Sequence, residues 1–162
     1  MKPIDSLLRV IGLGQEWRGD DAAGLLVARH LREFAGPQVT ILENSGALTD
    51  LLEAWEGVAA VILIDAVRGG GRPGEIYRFP EHDDPLLAEL FADASSHAWG
   101  LAQAVALGRA LKQLPPYLTI YGIEGRNFDL GQELSPAVAE AIPEAVRRIR
   151  REIEHYLSGQ GK

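Results

Sequence analysis

The chain of 162 residues contains no cysteine. That absence excludes disulfides, thiolate metal sites, a cysteine nucleophile and any redox-active thiol. It also fits the cytoplasm, the compartment expected here. Long apolar runs are missing too: none approaches the roughly 20 residues of a transmembrane helix, so no membrane association is expected. Near the start, Asp5 and Arg9 interrupt the apolar residues that follow Lys2, and no signal peptide is expected. Basic residues are in deficit. Sixteen Lys and Arg against 23 Asp and Glu leave a formal net charge of −7, so no nucleic-acid partner is expected. The one dense basic patch, Arg147, Arg148, Arg150 and Arg151, lies among Glu144, Glu152 and Glu154 and reads as a solvated helix face. No repeat, low-complexity block or linker divides the chain, so residues 1–162 are expected to form a single domain.

What is present is an alternation of short apolar runs and helical stripes. Residues 7–13 read as a first strand buried on both faces, ended by Gly12 and Gly14. From Asp20 a helical stripe with Ala23, Leu26, Val27, His30, Leu31 and Phe34 runs to Gly36-Pro37. Residues 39–42 form a second strand, and residues 48–55 a short helix. Residues 58–64 are the most apolar stretch, a central parallel strand ended by Asp65. A flexible glycine loop, 69–74, leads to 74–79, whose alternation suits an antiparallel edge strand. Residues 81–84 read as a turn and 85–91 as a helix. Ser95-Ser96-His97 precedes a stripe of Leu101, Ala104, Val105, Gly108 and Leu111. Residues 117–123 are the last strand. Ser135 caps a final helix with Pro136 at its first position, and Pro143 kinks or splits that helix. The order β-α-β-α-β-β-α-α-β-α predicts an α/β three-layer sandwich: a mostly parallel, twisted sheet of about five strands, one antiparallel edge, and helices on both faces.

Three motifs carry chemistry. Gly12-x-Gly14 after a strand imitates a dinucleotide fingerprint, but Trp17 stands where the third glycine belongs, and no Lys-Ser/Thr pair makes a phosphate loop. In Gly19-Asp20-Asp21, Asp20 reads as the helix N-cap, which leaves Asp21 for a functional role. Asp65 ends an apolar strand at the carboxyl edge, where α/β proteins place ligands. Of the histidines, His82 and His155 read as surface residues, His30 as half-buried packing, and His97 as the start of a helix. No Gly-x-Ser-x-Gly elbow accompanies the Ser-His pair. Asp21, Asp65 and His97 all fall where strands hand over to helices on one edge. Two carboxylates and one imidazole suit Ni, Zn, Mn or Fe(II) with open positions, although spacings of this length are not a local metal motif.

In order along the chain stand Gly12-Leu-Gly-x4-Gly19-Asp-Asp-Ala-Ala-Gly24, Ile64-Asp65-Ala66, Pro73-Gly-Glu75, Ser95-Ser-His97-x2-Gly100, Gly122-Ile-Glu124 and Leu134-Ser-Pro136-x-Val138. Together these blocks resemble the nickel–iron hydrogenase maturation endopeptidases. The resemblance implies a phosphorylase/hydrolase-like fold with a twisted five-stranded sheet. It implies an endopeptidase that removes the C-terminal extension from the nickel-loaded precursor of the hydrogenase large subunit, which is then the expected partner. It implies Asp21, Asp65 and His97 as metal-binding and catalytic residues, with nickel brought by the substrate, and Glu43 as a substrate contact. A monomer is favoured. Three positions depart from the family pattern: Gln15 replaces Asn, Glu43-Asn44-Ser45 replaces Asp-Gly-Gly, and Gly125-Arg126-Asn127 follows Glu124 where proline is common. Two other readings stay open, a non-enzymatic metal-binding adaptor or chaperone, and a Ser/His hydrolase using Ser95 or Ser96 with His97.

Overall fold

The strand Ala60–Val67 is buried at all 8 positions, and the rest of the chain is layered around it. The computed structural model describes residues 8–80 and 96–159, with residues 96–100 described by backbone alone. Among the described residues there are five strands, β1 (Leu8–Leu13), β2 (Val39–Asn44), β3 (Ala60–Val67), β4 (Ile76–Phe79) and β5 (Tyr117–Glu124). They form one sheet in the order β2-β1-β3-β5-β4. Every pairing is parallel except that of β4 with β5. The β-branched run of β3 belongs at this centre because both its faces are covered. β4 is the antiparallel edge that its alternation predicts.

Strand alternation divides the apolar side chains between two cores. Val10, Ile62 and Ile64 meet α1 (Ala23–Leu31) and α4 (Pro136–Ser158) on one face. Ile11, Val61 and Leu63 meet α2 (Leu48–Trp55) and α3 (Ser96–Ala110) on the other. The result is the three-layer α/β sandwich. Among the described residues no helix is long and apolar enough to cross a membrane.

The structure departs from the sequence reading at several places. β3 does not stop at Asp65 but runs on to Val67, because β5 continues beside it, pairing Asp65, Ala66 and Val67 with Gly122, Ile123 and Glu124. The stretch after Gly19 begins as a 3-10 turn, Gly19–Ala22, before α1 starts. His30 is exposed, since α1 buries positions 23, 24, 25, 27, 28 and 31. Leu111 is exposed beyond the end of α3. Pro143 does not split the last helix, which runs unbroken through it. The glycine loop after β3 is anchored by buried Glu124, whose carboxylate accepts N–H bonds from Gly69 at 2.9 Å and Gly71 at 3.0 Å and the Tyr77 hydroxyl at 2.9 Å. The readings for 81–84, 85–91, His82 and Ser95 lie outside the described residues.

Candidate active site

The carboxyl ends of β1, β3 and β5 open on one edge, and the 3-10 turn Gly19–Ala22 lies across it, packed on β3. Two glycines make that seat. A Cβ on Gly24, at the start of α1, would stand 2.4 Å from the Ile64 carbonyl oxygen and 2.5 Å from that of Leu13. The helix therefore rests directly on the ends of β1 and β3, as close helix–sheet packing requires. Gly14 leaves β1 at φ 146°, and a Cβ there would stand 2.0 Å from the Asp21 carbonyl oxygen. The chain can pass beneath Asp21 only as glycine.

This seat sets both candidate aspartates. Asp21 is 1% exposed. Its Oδ2 accepts the Gln15 N–H at 3.0 Å, a bond from the loop that has just left β1. Because the donor is backbone, the Gln15 departure from the family pattern leaves this contact intact. Asp65 is fully buried, and its Oδ1 accepts the Ala66 N–H at 2.8 Å. Alternation along β3 turns Asp65 to the face covered by α2 and α3. α3 packs on β3, and His97 lies in its first turn. The His97 side chain is outside the described atoms. Among the described residues no group of three His, Asp or Glu could hold a metal ion. The structure thus brings Asp21 and Asp65 to one edge and sets the backbone of His97 in the first turn of a helix packed on β3. Burying two carboxylates is costly unless charge or hydrogen bonds compensate, and a divalent cation supplies such charge.

Asp20 is not the helix cap that its position suggests. The residue before the 3-10 turn makes no side-chain cap, and neither does Ser135 before α4. The two bond to each other instead. The buried Asp20 carboxylate accepts the N–H groups of Arg126 at 2.7 Å, Asn127 at 3.0 Å and Ser135 at 2.7 Å, and the Ser135 hydroxyl at 2.7 Å. Burial alone would raise its pKa, but these bonds outweigh burial and hold it below the ordinary carboxylate value. Gly125 belongs to the same contact: a Cβ there would stand 2.9 Å from the Asp20 Cβ and 2.5 Å from the Phe128 ring. Its N–H also donates to the Val67 carbonyl at 2.9 Å, a bond that a proline at 125 could not make. The other side of this loop lines a cavity of about 560 Å³ with Arg72 and Arg126 on its wall.

Glu43, at the end of β2, is half-buried and held by arginines. It accepts Arg29 Nε at 3.0 Å and Nη2 at 2.8 Å, and pairs with Arg32; Arg29 also pairs with Glu16. The Arg29 hydrogen bond, opposed by burial and aided by Arg32, lowers the Glu43 pKa. Asn44 replaces the expected glycine by closing its own turn, Oδ1 accepting the Gly46 N–H at 2.8 Å. Sequence reasoning missed Glu124 as a loop anchor and assigned Asp20 to capping. No local signal marks either role, since their partners lie far along the chain.

The family model for the hydrogenase maturation protease HycI matches residues 25–152. Several solved structures share the fold. The hydrogenase maturating endopeptidase HybD from E. coli has a TM-score of 0.80 at 24% identity, covering 94% of this chain and 93% of its own. A solution structure of an endopeptidase from Escherichia coli has a TM-score of 0.81 at 25% identity, covering 94% and 93%. The [NiFe] hydrogenase maturation protease HybD from Thermococcus kodakarensis has a TM-score of 0.67 at 27% identity, covering 89% and 97%. Compared by sequence with proteins of curated function, the chain finds no match.

Proposed function

The chain belongs to the hydrogenase maturation protease family, and from that premise we propose that it removes the C-terminal extension of a hydrogenase large-subunit precursor once nickel has been loaded. It does so as one domain in the cytoplasm, with Asp21, Asp65 and His97 as the residues that meet the metal. The observation that carries this reading is the arrival of Asp21 and Asp65, both buried, at one sheet edge from elements far apart in sequence.

Nickel enters this scheme as part of the substrate. When bound, it supplies Lewis-acid polarisation to the reacting carbonyl or water. The chain's own residues supply the rest. Gln15 N–H orients the Asp21 carboxylate. The Ala66 N–H orients Asp65. A carboxylate at this edge can accept the proton of an attacking water. The Asp20 clamp fixes the rim loop beside them, and the cavity behind that loop offers room for a peptide. Glu43 contacts the substrate from the end of β2, its carboxylate aimed by Arg29 and Arg32. Two carboxylates and an imidazole, leaving positions open, suit transient engagement of a metal that the precursor already holds.

The test is incubation of the purified protein with nickel-loaded and nickel-free precursor, followed by mass spectrometry of the products. A defined C-terminal fragment from the loaded precursor alone is the expected result. Equal cleavage of both would remove nickel from the reading, and binding without cleavage would make the protein an adaptor. Full activity of Asp21→Asn and Asp65→Asn beside an inactive Ser95→Ala or Ser96→Ala would replace it with a Ser/His hydrolase.

A further inference from the structure

Two non-glycine residues among those described have positive φ, Trp17 at 70° and Lys112 at 57°. Lys112 follows the end of α3, where a left-handed residue commonly closes a helix. Trp17 has no such explanation. It stands in the loop between β1 and the 3-10 turn, and a bulky aromatic in that backbone region is strained. Yet the indole is not bought into the core by that strain, since Trp17 is 76% exposed.

The strain persists because the loop is fixed from both sides. The Trp17 carbonyl accepts the Gly131 N–H at 2.6 Å. Gly19 N–H donates to the Gln132 carbonyl at 3.1 Å, and Asp20 N–H to that of Asn127 at 2.8 Å. Upstream, Gln15 N–H is held by Asp21. Leu130, next to the residue that bonds Trp17, is also exposed, at 71%. The loop thus presents a large apolar side chain to solvent from a rigid frame, two residues from the backbone donor of Asp21. A rigid, exposed aromatic loses little entropy on contact, which is why tryptophan dominates binding hot spots.

We propose that Trp17 is an anchor for the substrate: its indole takes an apolar side chain of the hydrogenase large-subunit precursor and thereby brings the extension to the edge that holds Asp21 and Asp65. The inference rests on the proposed function. Its occupant follows from place, because the loop that carries the indole is the one that orients Asp21. Trp17 is a specificity-determining residue in this scheme and takes no part in bond cleavage.

Steady-state cleavage of the loaded precursor by the wild type and by Trp17→Gly, Trp17→Asn and Trp17→Phe tests it, with melting and sedimentation of each protein. Glycine and asparagine accept positive φ. Trp17→Gly should therefore melt about 2–4 °C higher while its KM rises about tenfold or more and its kcat stays within about twofold. Trp17→Asn should show the same KM, and Trp17→Phe should restore most of the wild-type value. Unchanged KM in both Gly and Asn variants overturns the inference, as does a loss confined to kcat, which would make the loop a positioning device for Asp21. A change in self-association with KM unchanged overturns it in favour of a second copy of this chain. If the wild type fails to process the precursor, the proposed function falls and takes this inference with it, a result distinct from all of these.

Discussion

Asp20 and Ser135 are joined twice: the Ser135 N–H donates to Asp20 Oδ1 and the Ser135 hydroxyl to Oδ2, each at 2.7 Å. With the Arg126 and Asn127 N–H groups on the same carboxylate, one side chain satisfies three backbone donors of the rim loop. Asp20→Ala leaves those donors unpaired beside a buried gap. It should cost about 2–4 kcal/mol in chemical denaturation, with faster amide exchange at residues 126–135. A loss below about 1 kcal/mol would mean that the loop holds its shape without the carboxylate.

Gly24→Ala should destabilise the protein although alanine favours helix. The added Cβ meets the Ile64 and Leu13 carbonyl oxygens at 2.4 and 2.5 Å, and both are strand backbone that cannot step aside. Alanine gains about 1 kcal/mol in helix propensity, and overpacking of this kind costs about 1–3 kcal/mol or more. A net loss in melting experiments, together with slower precursor cleavage, is expected because α1 must lift off the edge that seats Asp21. Equal or greater stability would show that the seat is slack.

Glu152 predicts an acid dependence. It is buried, which alone would raise its pKa, but hydrogen bonds from Arg78, Tyr117, Tyr121 and Thr119 outweigh burial and lower it. Arg78 donates at 2.7 Å and Tyr117 at 2.6 Å. Arg148, Arg151 and His155 line the same cavity. A folded-state pKa below the unfolded one stabilises the protein fully above the unfolded value, about 4.3, and that stability is lost as pH falls through the lower folded value. Below about pH 4.3 the wild type should therefore lose stability more steeply than Glu152→Gln. Parallel pH–stability curves for the two would remove Glu152 as the source.

Glu43→Gln should leave stability within about 1 kcal/mol, because its ion pairs with Arg29 and Arg32 are partly exposed. If the end of β2 touches the precursor, the same variant raises KM with kcat unchanged. Wild-type steady-state constants would withdraw Glu43 from substrate contact.

Chelation separates a borrowed metal from a resident one. Protein dialysed against EDTA, then freed of chelator, should cleave nickel-loaded precursor at the wild-type rate, and metal analysis of fresh protein should find no stoichiometric nickel. Loss of activity restored only by adding nickel would make the metal the protein's own.

Much of the sheet was legible because a buried strand writes itself as an apolar β-branched run, as residues 60–64 of β3 do. The end of β3 was not. Asp65 looks like a terminator by composition, and only the parallel run of β5 beside it keeps Asp65 to Val67 in the sheet. Asp20 and Ser135 both carry good capping chemistry and both spend it on each other, a tertiary contact that no local pattern announces. His30 fell outside the packed face because α1 turns Gly24, Val27, Ala28 and Leu31 to the core, and position 30 lies off that stripe. The candidate aspartates were chosen as handovers from strand to helix, whereas Asp65 lies within β3 and Asp21 in the 3-10 turn. The Gln15 and Ala66 N–H groups that aim them are backbone and leave no trace in residue identity.

The clamp around Asp20 also orders events during synthesis. Asp20 waits for partners 106 to 115 residues downstream, and β3 waits for β5 before Asp65 is framed. A growing chain that has already made Asp21 and Asp65 therefore lacks the rim loop until residue 135 has emerged from the ribosome. The edge that seats Asp21 and Asp65 is thus laid down near the amino end and closed from near the carboxyl end.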